Sequence, residues 1–268
     1  MSLQQLHIMP SQERTYVLGV RVDRIAQAEV LNAIDRMVAQ RRASHNTLPC
    51  QQVVTVNTEF VMAAQQNDDF RIAINAAALV VADGIGIVWA TRYLGKPTTE
   101  RVTGTDMLPM LAQRCATHGY RLFLLGAAPG VAEATGQRLQ ELAPGLVIAD
   151  TYAGSPAPSE EDEIIERLRA AQADVLCVAY GAPAQDLWIY RNLARLPVAV
   201  AMGVGGAFDF ITGRQQRAPV RMQQLGLEWL YRLYRQPWRW RRMRALPHFA
   251  LKVLLRGRKD CQEPPPFR

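Results

Sequence analysis

The stretch VVADGIGIVWA, residues 80–90, decides how the chain is read. An apolar run stops on one carboxylate, turns through two glycines and resumes as a second apolar run. A strand ending in Asp-Gly and re-entering as a helix leaves Asp83 at a strand tip, where open α/β sheets keep their ligands. A second reading stands beside it, because short acidic residues also cap helices. From these residues alone, Asp83 is either a cap or a chemical group.

The same grammar extends outward in both directions. Runs rich in Val, Ile and Leu alternate with helical patterns: TYVLGV (15–20) precedes IAQAEVLNAIDRMVAQ (25–40), and QQVVTV (51–56) precedes a helix with Phe60 and Met62. ALVVAD (78–83) precedes IGIVWATRYL (85–94), and YRLFLLG (120–126) precedes PGVAEATGQRLQEL (129–142). GLVIAD (145–150) precedes the acidic helix 159–172, DVLCVAYG (174–181) precedes PAQDLWIYRNLA (183–194), and VAVAMGVGG (198–206) closes the series. Strands apolar throughout and separated by helices predict an α/β fold, a mostly parallel sheet with helices on both faces. Three regions are expected: an α/β domain over 1–213, a basic helical appendage over 214–259, and a frayed end over 260–268.

The bulk properties set bounds. A 268-residue chain that is 49% apolar and 21% charged can bury a full core, which excludes disorder throughout. No apolar run reaches the ~18 residues that span a bilayer. The opening MSLQQLHIMPSQER has no basic region followed by an apolar core, so no secretion signal is expected. Cys50, Cys115, Cys177 and Cys261 are scattered without metal spacing, which fits a reducing cytosol.

Net charge is divided unevenly. Residues 214–259 carry thirteen Lys or Arg against one acid, Glu228, a net +12, whereas residues 1–213 sum to −4. The basic stretch, LEWLYRLYRQPWRWRRMRALPHFALKVLLRGRK (227–259), interleaves arginine with Trp, Tyr and Phe, and reads as short helices broken by Pro237 and Pro247. Such a segment could bind nucleic acid, be an ordinary solvated surface, or lie on an anionic membrane. The scarcity of acids and the Trp-Arg alternation favour the membrane, and nucleic acid is not expected as a partner.

Every candidate chemical group falls at the carboxyl end of a predicted strand, and in a parallel sheet those ends share one rim. Thr55 and Asn57 follow the second run, Asp83 the third, Gly126 the fourth, Gln185 the sixth, and Gly203 and Gly205 the seventh. Gly126, opening GAAPG, could present backbone N–H groups to a diphosphate or serve a plain turn. Arg101, in ERVTGTDM (100–107), is a surface arginine or an anion contact. Walker A, H-E-x-x-H and G-x-S-x-G are missing, and His7, His45, His118 and His248 have no ligand spacing, so neither metal nor cofactor is expected. No Asp-x-Asp pair occurs, leaving arginines and backbone dipoles to neutralise a diphosphate.

Together VVTVNTEF, VADGIGIVWA, ERVTGTDM, YGAPAQDLW and GVGGAFDFITGRQQRAP with GLEWLYRLYRQPWRWRR resemble the WecG/TagA/CpsF family of bacterial glycosyltransferases, from about Val17 to the end of the basic stretch. The resemblance implies an inverting, metal-independent enzyme with a Rossmann-like α/β catalytic core that moves a sugar from a UDP-sugar to a polyprenyl-diphosphate-linked acceptor in surface or exopolysaccharide assembly. It implies Asp83 as general base, in a catalytic set with Thr55 and Arg101, and Asn57, Gln185, Gly126, Gly203 and Gly205 as substrate contacts; Thr55 and Asn57 line the same cleft, and Arg101 and Gln185 lie near the reacting sugars or diphosphate. Arg232, Arg239 and Arg242 would reach the acceptor's diphosphate. The protein is then expected in the cytoplasm, peripheral at the inner face of the cytoplasmic membrane; a homo-oligomer is compatible. A non-catalytic nucleotide-sugar or nucleic-acid binding protein is the alternative, and an α/β oxidoreductase is disfavoured by the missing dinucleotide fingerprint.

Overall fold

A computed structural model describes residues 13–98, 100–219, 221, 222, 227–235, 237, 240 and 245–257. Six strands form one parallel sheet in the order β4-β3-β8-β7-β5-β6. They are β3 (Gln51–Val56), β4 (Leu79–Ala82), β5 (Arg121–Gly126), β6 (Val147–Tyr152), β7 (Val175–Ala179) and β8 (Val200–Gly203). Helices α1 (Gln27–Ala43), α2 (Thr58–Ala64), α3 (Asp68–Ala76), α4 (Ile85–Tyr93) and α5 (Gly104–His118) occupy the first half. Helices α6 (Val131–Leu142), α7 (Glu161–Ala171), α8 (Ala184–Asn192) and α9 (Ala207–Ile211) follow. Two more helices, Glu228–Arg235 and Ala245–Arg256, lie in the basic stretch.

The period-two alternation of the strands sends side chains to opposite faces. Val53, Val81, Leu124, Cys177 and Met202 pack on one side with α1, α5, α6 and α9. Val54, Val56, Val80 and Ala82 pack on the other with α2, α3 and α4, and Phe123, Leu125, Leu176 and Val178 with α7 and α8. Because both faces are covered, strand residues alternate in direction yet remain apolar. This is the layered architecture that the sequence predicts.

The first apolar run departs from expectation. TYVLGV does not join the parallel sheet; β1 (Arg14–Val17) and β2 (Val20–Asp23) form a separate antiparallel hairpin. Leu18 and Gly19 both have positive φ, +51° and +77°, the conformation of a two-residue turn whose twist matches its strands. The hairpin is fastened near β4. The buried Arg21 donates to the carbonyls of Asn75 and Ala77, and its ion-pair partner Asp23 accepts from Val80 N–H at 2.8 Å.

The basic stretch also shows a difference. Pro247 does not break a helix; it lies in the first turn of Ala245–Arg256, where a missing N–H leaves no intrahelical bond unmade. This helix belongs to the core, because Phe249 and Val253 are buried against the cluster containing Phe60, Ile87 and Ala90. Burying one phenylalanine side chain stabilises by roughly 1.5–3 kcal/mol, enough to hold the helix against α2 and α4.

Candidate active site

Parallel pairing of β4, β3, β8 and β7 brings four strand tips side by side, and a cleft of about 430 Å³ lies over them. Thr55, Asn57, Asp83, Arg101, Gln185 and Gly205 all line it. They come from segments up to 150 residues apart, and the sheet explains the meeting of all but Arg101.

Asp83 extends the ladder by one residue, its N–H donating to Val56 O at 2.7 Å. The next residue, Gly84, occupies the N-cap of α4 with φ of +104°, a conformation that L side chains rarely adopt. The N-cap position therefore belongs to Gly84, and the half-buried Asp83 stands just outside the helix on the cleft wall. Val102 N–H donates to Ala82 O at 2.8 Å, which sets the preceding residue, Arg101, beside the same strand tip. Among the described residues Arg101 makes no hydrogen bond or close ion pair, and its field reaches Asp106.

Asn57 performs two tasks. It lines the cleft and caps α2, its Oδ1 accepting from Phe60 N–H at 3.1 Å. Thr55, nearly buried, lies where the first turn of α5 meets the β8 tip; a side chain at Gly104 would meet Val204 O at 3.4 Å and Thr55 Oγ1 at 3.8 Å. The amino ends of α4, α5 and α8 all open on the cleft, through Gly84–Gly86, Thr103–Thr105 and Gly181–Gln185. The positive ends of their dipoles make the floor attractive to anions.

Gln185 is 2% exposed, and its Oε1 accepts from Gly181 N–H (3.2 Å) and Gly205 N–H (3.0 Å), stapling the β7 tip to the β8 tip. Gly203 lies beneath the lining rather than in it. A Cβ there would meet Gln185 Nε2 at 2.4 Å and Asp186 Oδ1 at 2.9 Å, so this glycine makes room for the staple. Gly126 stands one strand further along and does not line the cleft. Its φ is +104°, and a Cβ would reach the Ala179 backbone at 2.9 Å, so close strand packing explains the glycine. Arg232 falls on the helix Glu228–Arg235, whereas Arg239 and Arg242 lie outside the described residues.

Sequence reasoning missed three charged residues. Arg217 and Glu228 line the cleft, and Arg217 forms ion pairs with Asp106 and, at 3.8 Å, with Glu228. Burial alone would push the Asp106 carboxyl up, but hydrogen bonds from Arg217 and Thr103 hold it below the usual range. The Arg217 guanidinium is in turn raised: burial opposes its charge, but Asp106, Glu228 and Asp83 outweigh that. The Thr103-x-x-Asp106 spacing and the single acid of the basic stretch were the available signals. A fourth residue, Asp186, is fully buried behind Gln185. Among the described residues, no cluster of three His, Cys, Asp or Glu is arranged to hold a metal ion, and no helix is long and apolar enough to cross a membrane.

Residues 15–262 match the glycosyl transferase WecG/TagA/CpsF family. The chain is 34% identical over 210 residues to an N-acetylglucosaminyldiphosphoundecaprenol N-acetyl-beta-D-mannosaminyltransferase of Bacillus spizizenii, covering 78% of this chain and 81% of the relative. A Staphylococcus aureus protein of the same name is 30% identical over 243 residues, 91% of this chain and 93% of its own. A match over nearly the whole chain, with the family's motifs gathered at one cleft, places this protein in the WecG/TagA/CpsF family of glycosyl transferases.

Proposed function

We propose that the protein transfers a sugar from a UDP-sugar to a polyprenyl-diphosphate-linked acceptor, with inversion and without a metal ion. The observation that carries this reading is the meeting of Asp83, Arg101, Thr55, Asn57 and Gln185 in one cleft floored by helix amino ends. Asp83 accepts the proton of the acceptor hydroxyl as that oxygen bonds to the anomeric carbon. The bond from that carbon to the diphosphate oxygen breaks, and UDP departs with the electron pair. Arg101 and the N–H groups of α4, α5 and α8 receive the charge that grows on the leaving diphosphate. Thr55, Asn57 and Gln185 shape the sugar subsite, Gln185 by holding two glycine turns together. The relatives' names make N-acetylmannosamine the first donor sugar to test, and an N-acetylglucosaminyl-diphosphoundecaprenol analogue the first acceptor.

The charge inventory of the cleft supports a role for the basic stretch. Its described lining carries the carboxylates Asp83, Glu59 and Glu228 against the cations Arg101 and Arg217, and Arg217 is engaged by Asp106 and Glu228. Two diphosphates require more positive charge than this, and Arg232, Arg239 and Arg242 are the proposed source for the acceptor. The surface beside the mouth supports docking at the inner face of the cytoplasmic membrane. Ile85, Trp89 and Tyr93 form an exposed stripe at i, i+4 and i+8 on α4, and Leu251, Leu254 and Leu255 project from the helix packed beside it. An apolar strip on a chain whose residues 214–259 carry a net +12 suits an anionic bilayer, where each basic residue near the surface contributes about 1 kcal/mol.

The test is incubation with a panel of UDP-sugars and a short-chain lipid-diphosphate acceptor, read by mass spectrometry. Wild type is expected to form one glycosylated lipid, and Asp83→Asn to lower kcat by about 10²–10⁴-fold while still binding donor. Undiminished transfer by Asp83→Asn would overturn the assignment of the base.

A further inference from the structure

Thirteen basic residues lie between 214 and 259, and only one acid, Glu228. A lone carboxylate at the start of a helix has an ordinary explanation, since acids in the first turn complement the dipole. The structure gives it a second partner. Arg217 reaches Asp106 of α5 with both terminal nitrogens and comes within 3.8 Å of Glu228 through Nη2.

We propose that Arg217 is a positioning residue that latches the helix Glu228–Arg235 across the mouth of the cleft, bridging Asp106 on the core to Glu228 on the basic stretch. This rests on the reading above, in which that stretch delivers arginines to the acceptor.

Three features support the latch. The core side is rigid: Thr103 Oγ1 accepts from Asp106 N–H at 3.1 Å and donates to Asp106 Oδ2 at 2.7 Å, so the receiving carboxylate is fixed by the helix cap. The contact is sheltered, with the Glu228 side chain 13% and that of Arg217 26% exposed, so water and salt screen it less than a surface pair. The chemistry suits arginine, whose planar fork serves Asp106 through two nitrogens while one of them faces a second carboxylate; an ammonium cannot reproduce that geometry. Glu228 and its neighbour Trp229 both line the cleft, so seating this helix sets one wall of the site.

Limited trypsin digestion and steady-state kinetics of the full chain test the latch with Arg217→Gln, Arg217→Lys, Glu228→Gln and the Arg217→Gln/Glu228→Gln double variant. Cleavage within 228–235, measured without substrates, is expected to rise about 10-fold in both Gln variants, and no further in the double variant, because either change breaks the bridge from Asp106 to Glu228. Acceptor KM is expected to rise by a similar factor while donor affinity stays within about twofold, and Arg217→Lys should recover only part of the loss. Additive effects in the double variant, unchanged proteolysis, or equal losses for donor and acceptor would each overturn the latch. Failure of wild type to transfer any sugar would count against the proposed function instead, since the digestion needs no turnover.

Discussion

Asp186→Asn should remove one loss of stability that the protein suffers as pH rises toward about 7. Asp186 sits in the first turn of α8, fully buried beside the Gln185 side chain. Burial pushes this carboxyl from 3.8 up to about 7, outweighing the Gln185 amide and its own backbone N–H, which favour the charged form. Below pH 3.8 the group is protonated in both folded and unfolded chains. Between there and about 7 the folded chain holds a proton that the unfolded chain has released, so stability falls as pH rises. Above 7 both states are ionised and the loss is complete. Roughly three pKa units at 1.36 kcal/mol each make the full penalty about 4 kcal/mol, of which about 3 kcal/mol falls between pH 5 and 8.

The asparagine keeps the shape of the side chain and cannot ionise. Urea unfolding of both proteins at pH 5, 6, 7 and 8 isolates the effect, because every other titrating group is common to the pair. The stability of the variant minus that of wild type should climb by about 3 kcal/mol from pH 5 to 8, nearly all of it below pH 7. A difference that stays flat within about 0.5 kcal/mol would show that Asp186 ionises at its ordinary pH, so that the cavity under Gln185 is wet or holds a counter-charge. The same residue pair bears on the cleft, since a charge forming beneath Gln185 would act on the staple between Gly181 and Gly205.

Two further outcomes follow from the geometry. Asn57→Ala should lower stability by about 1 kcal/mol through loss of the α2 cap as well as impairing transfer, whereas Asn57→Asp should keep the cap and lose only activity, seen by thermal melts beside rate assays. Trp89→Ser/Tyr93→Ser, which removes the stacked pair from the α4 stripe, should weaken sedimentation with anionic vesicles at least about 10-fold without changing donor affinity; equal sedimentation would remove α4 from the membrane face.

The sheet and the rim of the cleft were legible in the sequence because a parallel strand buried on both faces reads as an unbroken apolar run, and parallel order puts all the tips on one side. The hairpin was not. TYVLGV (15–20) reads as one strand, and the reversal within it depends on Leu18 taking a left-handed conformation that its type does not announce. Gly126 and Gly203 show another limit: both are required by what packs against them, the Ala179 backbone in one case and Gln185 in the other. Composition shows that a glycine is present, but only packing shows which neighbour needs it. The pairing of Asp106 with Arg217 spans 111 residues and follows no periodicity, so nothing local could reveal it. Pro247 was misread because a proline stops a helix only when an N–H at its position is needed.

The charge division of the sequence and the geometry of the cleft explain each other under the proposed function. A general base must stay basic enough to take a proton, and each cation fixed beside it holds its pKa down. The diphosphates nevertheless need cations. The core resolves the conflict by keeping few of its own: of the two described cleft cations, Arg101 makes no hydrogen bond or close ion pair among the described residues, and Arg217 is drawn chiefly toward Asp106 and Glu228, with Asp83 the weakest of its three attractions. The remaining positive charge is carried on the 46-residue stretch that begins at Arg214, where membrane attraction and acceptor binding call for the same residues. A net −4 over residues 1–213 and +12 over the next 46 is thus what separating a base from its phosphate contacts requires. The one acid retained in the basic stretch sits where that stretch meets the core.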